Sequence, residues 1–121
     1  MRKPKLKNIA KAQKLISLIE VLPEKGIFIS KDLNPNEFGL SLHHCIVFAV
    51  FSANYTTNKV IPLSWLKGKY GFKTLFQIKL FLLDLRNLGY IYKPQNGRLF
   101  PACFIGKGGA QWESLNRLEF Y

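Results

Sequence analysis

Between Leu6 and Leu22 the apolar positions Ile9, Ala12, Leu15, Ile16, Ile19 and Leu22 recur at steps of three and four, while Lys7, Lys11 and Lys14 occupy another face. This pattern predicts an amphipathic N-terminal helix over residues 6–22, stopped near Pro23 and Gly26. Ile27-Phe28-Ile29 is short enough for a strand or a core-filling loop, and Asn34-Pro35-Asn36 is turn material. A second helical stripe, Leu42, Cys45, Ile46, Ala49, Val50 and Ala53, follows Ser41, a favourable N-cap residue. Val47, Phe48 and Phe51 fill its remaining faces, so this helix belongs at the centre of the fold.

Residues 54–58 form a polar linker containing Tyr55, after which Val60-Ile61 extends briefly and Pro62 opens a short helix through Tyr70, closed by Gly71. The longest periodic segment, Lys73 to Leu88, carries Leu75, Ile78, Leu82, Leu85 and Leu88 on one face and stops at Gly89. Tyr90-Ile91-Tyr92 and Arg98-Leu99-Phe100 are strand-like and flank Asn96-Gly97, a strong hairpin turn. Gln111 to Glu119 completes the pattern as a terminal helix. The expected fold is mostly α with a small β-hairpin (α+β), as a single domain over residues 1–121. With Ile78, Leu82 and Leu85 inward, Phe76, Leu80 and Leu83 fall together on the far side of the long helix. Burying each is worth ~1.5–3 kcal/mol, so a cover is expected: the N-terminal helix, the terminal helix or a second subunit.

At 121 residues, with 48% hydrophobic and 14% aromatic residues, the chain has the means to build one packed core and is not a disordered polymer. Its longest uninterrupted apolar run, Cys45 to Phe51, is far short of the ~20 residues of a membrane-spanning helix. Met1-Arg2-Lys3-Pro4-Lys5 resembles the start of a secretory signal, but Lys11, Lys14 and Glu20 interrupt the apolar stretch that would have to follow, and a cytoplasmic location is expected. Cys45 and Cys103 give neither a disulfide framework nor a metal spacing, and His43-His44-Cys45 on a helix point about 100° apart, so no metal or other cofactor is expected. Charge changes the picture most. Eighteen Lys and Arg against seven Asp and Glu give a formal net charge of +11, and between Glu37 and Glu113 nine basic residues face the single Asp84. That asymmetry is the footprint of a polyanion partner.

The order helix, short strand, helix, glycine turn, longer helix, glycine and hairpin over residues 41–103 resembles a winged helix-turn-helix domain, here with an added N-terminal helix and a C-terminal helix. Leu66 and Tyr70 in Ile61-Pro62-Leu63-Ser64-Trp65-Leu66 through Tyr70-Gly71-Phe72 sit where that superfamily's second helix packs, with Gly71 at its turn. Leu82-Leu83-Asp84-Leu85-Arg86-Asn87-Leu88-Gly89-Tyr90-Ile91-Tyr92-Lys93 is similar to a recognition helix running into the first wing strand. The resemblance implies double-stranded DNA as partner, with Lys73, Thr74 and Gln77 at base edges, Lys67, Lys69 and Lys79 on phosphates, and Lys93 and Arg98 as wing contacts. A regulator of transcription, or an accessory factor of replication or of a mobile element, is the expected role.

Ile105-Gly106-Lys107-Gly108-Gly109 resembles the glycine loop of K-homology RNA-binding modules, but it follows a strand rather than a helix, and only 12 residues come after Gly109. Its glycines at 106, 108 and 109 allow backbone amides to converge on one anion beside Lys107, which makes it a candidate phosphate clamp. Two other functions compete with duplex binding. Basic residues interleave with Tyr70, Phe72, Tyr90, Tyr92 and Phe100, as RNA or single-stranded nucleic-acid binding requires. The stripe Phe76, Leu80 and Leu83 suits a protein-interaction adaptor or a homodimer. Catalysis has little to stand on, since the acids are scattered and no serine or cysteine has a recognisable activating neighbour.

Overall fold

The computed structural model describes residues 6–55, 61–93 and 99–104. Three helices carry most of it: α1 (Leu6–Ser17), α2 (Leu42–Ala53) and α3 (Leu75–Asn87). Four short strands, β1 (Ile19–Leu22), β2 (Gly26–Ile29), β3 (Ile91–Tyr92) and β4 (Phe100–Pro101), pair as two separate antiparallel hairpins, β1 with β2 and β3 with β4. The chain is thus α+β with helix dominant. No helix among the described residues is long and apolar enough to cross a membrane.

α1 buries Ile9, Ala12 and Leu15 and leaves Lys11 and Lys14 in solvent, as its period requires. It stops five residues before the expected end at residue 22. Ser17 donates its hydroxyl to the Lys14 carbonyl and Leu18 folds its N–H back to Leu15. Ile19 to Leu22 then extends and pairs Ile19 with Ile29 and Val21 with Ile27. Ile19 and Leu22 fit a helical period, yet β-branched Ile19 and Val21 fit a period of two equally well, and a tight turn at residues 23–25 supplies the partner strand. Gly26 makes that turn possible, with φ at 125°.

α2 is the spine. Cys45 through Val50, Ser52 and Ala53 are all buried, and α1, α3, β1 and β4 pack around them. Its start is fixed by Ser41, whose Oγ accepts the His44 N–H at 3.3 Å while His44 Nδ1 accepts the Ser41 N–H at 3.3 Å, a capping box with histidine in the place of glutamate. Its end is fixed by Asn54. That side chain donates from Nδ2 to the carbonyls of Val50 (3.1 Å) and Ile61 (2.8 Å) and accepts the Ile61 N–H on Oδ1 at 2.6 Å, so one amide ties the helix end to the far side of the connection.

The helix expected from Pro62 to Tyr70 is reduced to one 3-10 turn, Leu63–Leu66. Gly68 (φ 79°), Tyr70 (φ 51°) and Gly71 (φ 87°) take left-handed backbone, which closes a loop through the Gly68 N–H to Phe72 carbonyl bond at 2.7 Å and drives Phe72 into the core. α3 follows, inserting Ile78 and Leu85 fully and Phe81 and Leu82 partly. Gly89, at φ 88°, ends it in a left-handed turn. Tyr90 then buries its ring against Phe48 and donates its hydroxyl to the Phe38 carbonyl at 2.7 Å. β3 and β4 pair Ile91 with Pro101 and Tyr92 with Phe100. The Asn96-Gly97 turn, Arg98, the glycine loop at 105–109 and the terminal helix expected at 111–119 lie outside the described residues.

Burial pushes the Cys45 and Cys103 thiols up to about 11 from an ordinary value of 9.0, and the Tyr90 hydroxyl up to about 12 from 10.0. Because these folded-state values lie above the unfolded ones, the stability linked to the neutral groups is present below pH 9 and drains away as pH climbs toward 12. Urea unfolding followed across that interval should show declining stability, with a shallower decline in Cys103→Ala. A second test concerns the amide clasp: Asn54→Ala should destabilise the protein by about 1–3 kcal/mol in the same assay, since it strands the Ile61 N–H and carbonyl.

Candidate nucleic-acid interface

Lys67 to Lys79 is the segment where the basic residues meet a helix start. The loop that begins it is held rigidly from two sides. His43, in the first turn of α2, donates from Nε2 to the Tyr70 carbonyl at 3.0 Å, which sets its tautomer, since a carbonyl only accepts. The Tyr70 hydroxyl reaches back to accept the Ile27 N–H of β2 at 3.1 Å. Tyr70 is the one described residue other than glycine at positive φ, and these two bonds are what hold it there. Beneath the loop, Phe72 meets His43 and Phe81 edge-on at ring-centre distances of 5.0 and 5.7 Å, and Phe81 also abuts His44 at 4.7 Å.

His44 carries the bracing on into α3. Its Nδ1 accepts from Ser41, so the proton resides on Nε2, which donates to Asp84 Oδ2 at 2.9 Å. One imidazole therefore caps α2 and pins the middle of α3. Ser41, His44 and Asp84 share residue types with a hydrolase triad. Here the serine oxygen lies 2.6 Å from Nδ1, three positions away on the same helix start, and already accepts a backbone N–H as the cap. A structural brace accounts for every one of these bonds.

On this frame Lys67, Lys69, Lys73 and Lys79 are all exposed. Lys69 lies over the Trp65 ring at 5.3 Å and donates to the Trp65 carbonyl at 2.8 Å, so its charge is partly committed to its own loop. Thr74 caps α3, its Oγ1 accepting the Gln77 N–H at 3.1 Å, and Gln77 returns its Oε1 to the Lys73 N–H at 2.9 Å. Both polar residues assigned to base edges thus also stabilise the helix start. Paired hydrogen bonds from Gln77 to an adenine would require Oε1 to leave Lys73, whereas its Nε2 donates without that exchange.

The structure gathers Lys67, Lys69, Lys73, Thr74, Gln77 and Lys79 along the loop and the first two turns of α3. Lys93 stands exposed at the end of β3, in the separate hairpin. Arg98, Lys107, Gly106, Gly108 and Gly109 fall outside the described residues. Of the aromatics interleaved with the lysines, Phe72 and Tyr90 are buried, while Tyr70 is exposed by 43%. Phe76, Leu80 and Leu83 are exposed by 70%, 47% and 48%, and no described residue covers them. In the sequence His43 and His44 stand out only as metal ligands that cannot converge, and Trp65 only within the expected second helix, although Ser41 three positions before a hydrogen-bonding His44 was the readable sign of the cap.

Compared with family models, curated proteins and solved structures, the chain matches none of them. Two substitutions separate the structural from the binding roles at this site. Thr74→Ala should cost about 1 kcal/mol of folding stability, and Lys73→Ala should stay within ~0.5 kcal/mol, both read by chemical denaturation.

Proposed function

We propose that this protein binds double-stranded DNA through the Lys67–Lys79 segment, as a winged-helix-like regulator of transcription or accessory factor of replication or a mobile element in the cytoplasm. One observation carries the reading: exposed lysines 67, 69, 73 and 79 flank the capped start of α3, where aligned N–H groups already favour an anion. In the sequence between Glu37 and Glu113 the one acid is Asp84, and its Oδ2 accepts from His44. The loop is braced by His43 and Tyr70, so phosphates meet a surface that is already ordered and little entropy is lost on contact.

Contact through the first turns, rather than along the whole helix, fits the apolar far side. Phe76, Leu80 and Leu83 offer no hydrogen bonds to a groove, and a recognition helix laid flat would press them against polar base edges. The helix start and its preceding loop supply affinity and register. Base discrimination falls to Thr74 and the Gln77 amide, and is therefore modest.

Duplex binding should weaken linearly in log affinity against log salt, with a slope reflecting about three to four phosphate contacts, and Lys73→Ala should reduce that slope by roughly one. Tighter binding of single-stranded DNA or RNA than of duplex at the same salt sinks the duplex reading. If none of the three binds at low salt, the exposed Phe76, Leu80 and Leu83 favour a protein-interaction adaptor instead.

A further inference from the structure

The far side of α3 has a repeat that fits a second copy of itself. Phe76, Leu80, Leu83 and Asn87 follow one another at steps of four, three and four, and all four are exposed, which is the spacing of a two-stranded coiled-coil seam with Phe76 and Leu83 at d positions and Leu80 and Asn87 at a. The flanking charges choose the direction. If two α3 helices run parallel, Lys79 at g faces Asp84 of the other copy at e, and the two-fold axis makes that pair twice. If they run antiparallel, Lys79 faces Arg86 of the other copy, a like-charge pair made twice. Asp84 has an oxygen to offer, because His44 takes Oδ2 and the carboxylate holds two. Asn87 adds a second discriminator. In the parallel register it meets its own counterpart and the two amides hydrogen-bond, whereas in the antiparallel one it is set against Phe76.

We infer that the chain self-associates through α3 as a parallel two-fold homodimer, with Phe76, Leu80 and Leu83 as its apolar seam and reciprocal Lys79–Asp84 pairs at its edges. A helix of 13 residues is about 20 Å long and offers two heptads at most, so the area is below that of a standard permanent interface and association is concentration-dependent. The parallel arrangement brings the starts of both α3 helices to one end of the dimer, an interaxial 8–10 Å apart. An antiparallel pair would put them at opposite ends. The inference shares Lys79 with the nucleic-acid reading, but its test contains no nucleic acid, so the two fail separately.

The test combines solution mass with a directed cross-link. Sedimentation of the full chain should shift from 13.9 kDa toward twice that mass as concentration rises to roughly millimolar, and Leu83→Glu, which sets two carboxylates face to face at the seam, should hold it at monomer while leaving the helical circular dichroism unchanged. Asn87→Cys should oxidise to a covalent dimer, because parallel a positions approach at a separation a disulfide spans; in an antiparallel pair the two sulfurs would stand about 16 Å apart along the axis. The native thiols give little background, since Cys45 and Cys103 are buried. A monomer at every concentration overturns the inference, as it would if the chain's own residues beyond 104 cover the stripe. A dimer indifferent to Leu83→Glu overturns it too, and a dimer sensitive to Leu83→Glu in which Asn87→Cys forms no cross-link overturns the parallel register.

Discussion

Helix α2 has almost no face that tolerates water. Its residues from Cys45 to Val50 are buried on every side, so the remaining elements must enclose it, and their places follow from that demand. α1 covers one flank with Ile9, Ala12 and Leu15; α3 covers another with Ile78 and Leu85; Tyr90 and the β3–β4 hairpin close a third. The ends of such a helix are where backbone groups still need partners. Ser41 with His44 supplies them at the start and Asn54 at the finish. Within the core itself the buried hydroxyl of Ser52 accepts from the Cys103 thiol at 3.8 Å.

The same bracing gives the basic loop its form. His43 and His44 leave the start of α2 in two directions, the first to the Tyr70 carbonyl and the second to Asp84. Between them Phe72 and Phe81 fill the space under residues 67–73. A lysine-rich stretch with two glycines would by itself be an open, mobile loop. Tethered to α2, β2 and α3, it instead offers its charges from a fixed surface beside a helix N-terminus, and electrostatic attraction in such a place does not have to order the chain first.

Much of this was legible in the sequence where one signal had no competitor. Ser41 followed by an all-round apolar run gave the cap and the central place of α2, and the periodic run from Lys73 to Leu88, stopped by Gly89, placed α3 within two residues of its bounds. Legibility failed where two signals overlapped. Ile19 and Leu22 satisfy the helical period of α1 while Ile19 and Val21 satisfy the alternation of a strand, and the turn at 23–25 decides for the strand through a partner the local pattern does not contain. Pro62 to Tyr70 reads as a helix by its opening proline and closing glycine, but Gly68 and the core's need for Phe72 bend it after one turn. At the candidate site the lysines were visible as charge. The histidine clamps were not, since adjacent histidines in an apolar helix show their partners only when Tyr70 and Asp84 come near from 27 and 40 residues away.

Charge and apolar stripe share one helix and meet at Lys79, but are otherwise used at different places: the start of α3 against a polyanion, its far side against another protein surface. That division is the centre of the account. Amide chemical-shift mapping of the full chain titrated with a short duplex tests it most directly, because each residue reports separately. Shifts should concentrate at Lys67 to Lys79, leaving the amides of the β1–β2 hairpin and of Leu83 to Asn87 near their free values. Shifts spread along the whole far side of α3, or confined to residues outside that segment, would contradict it.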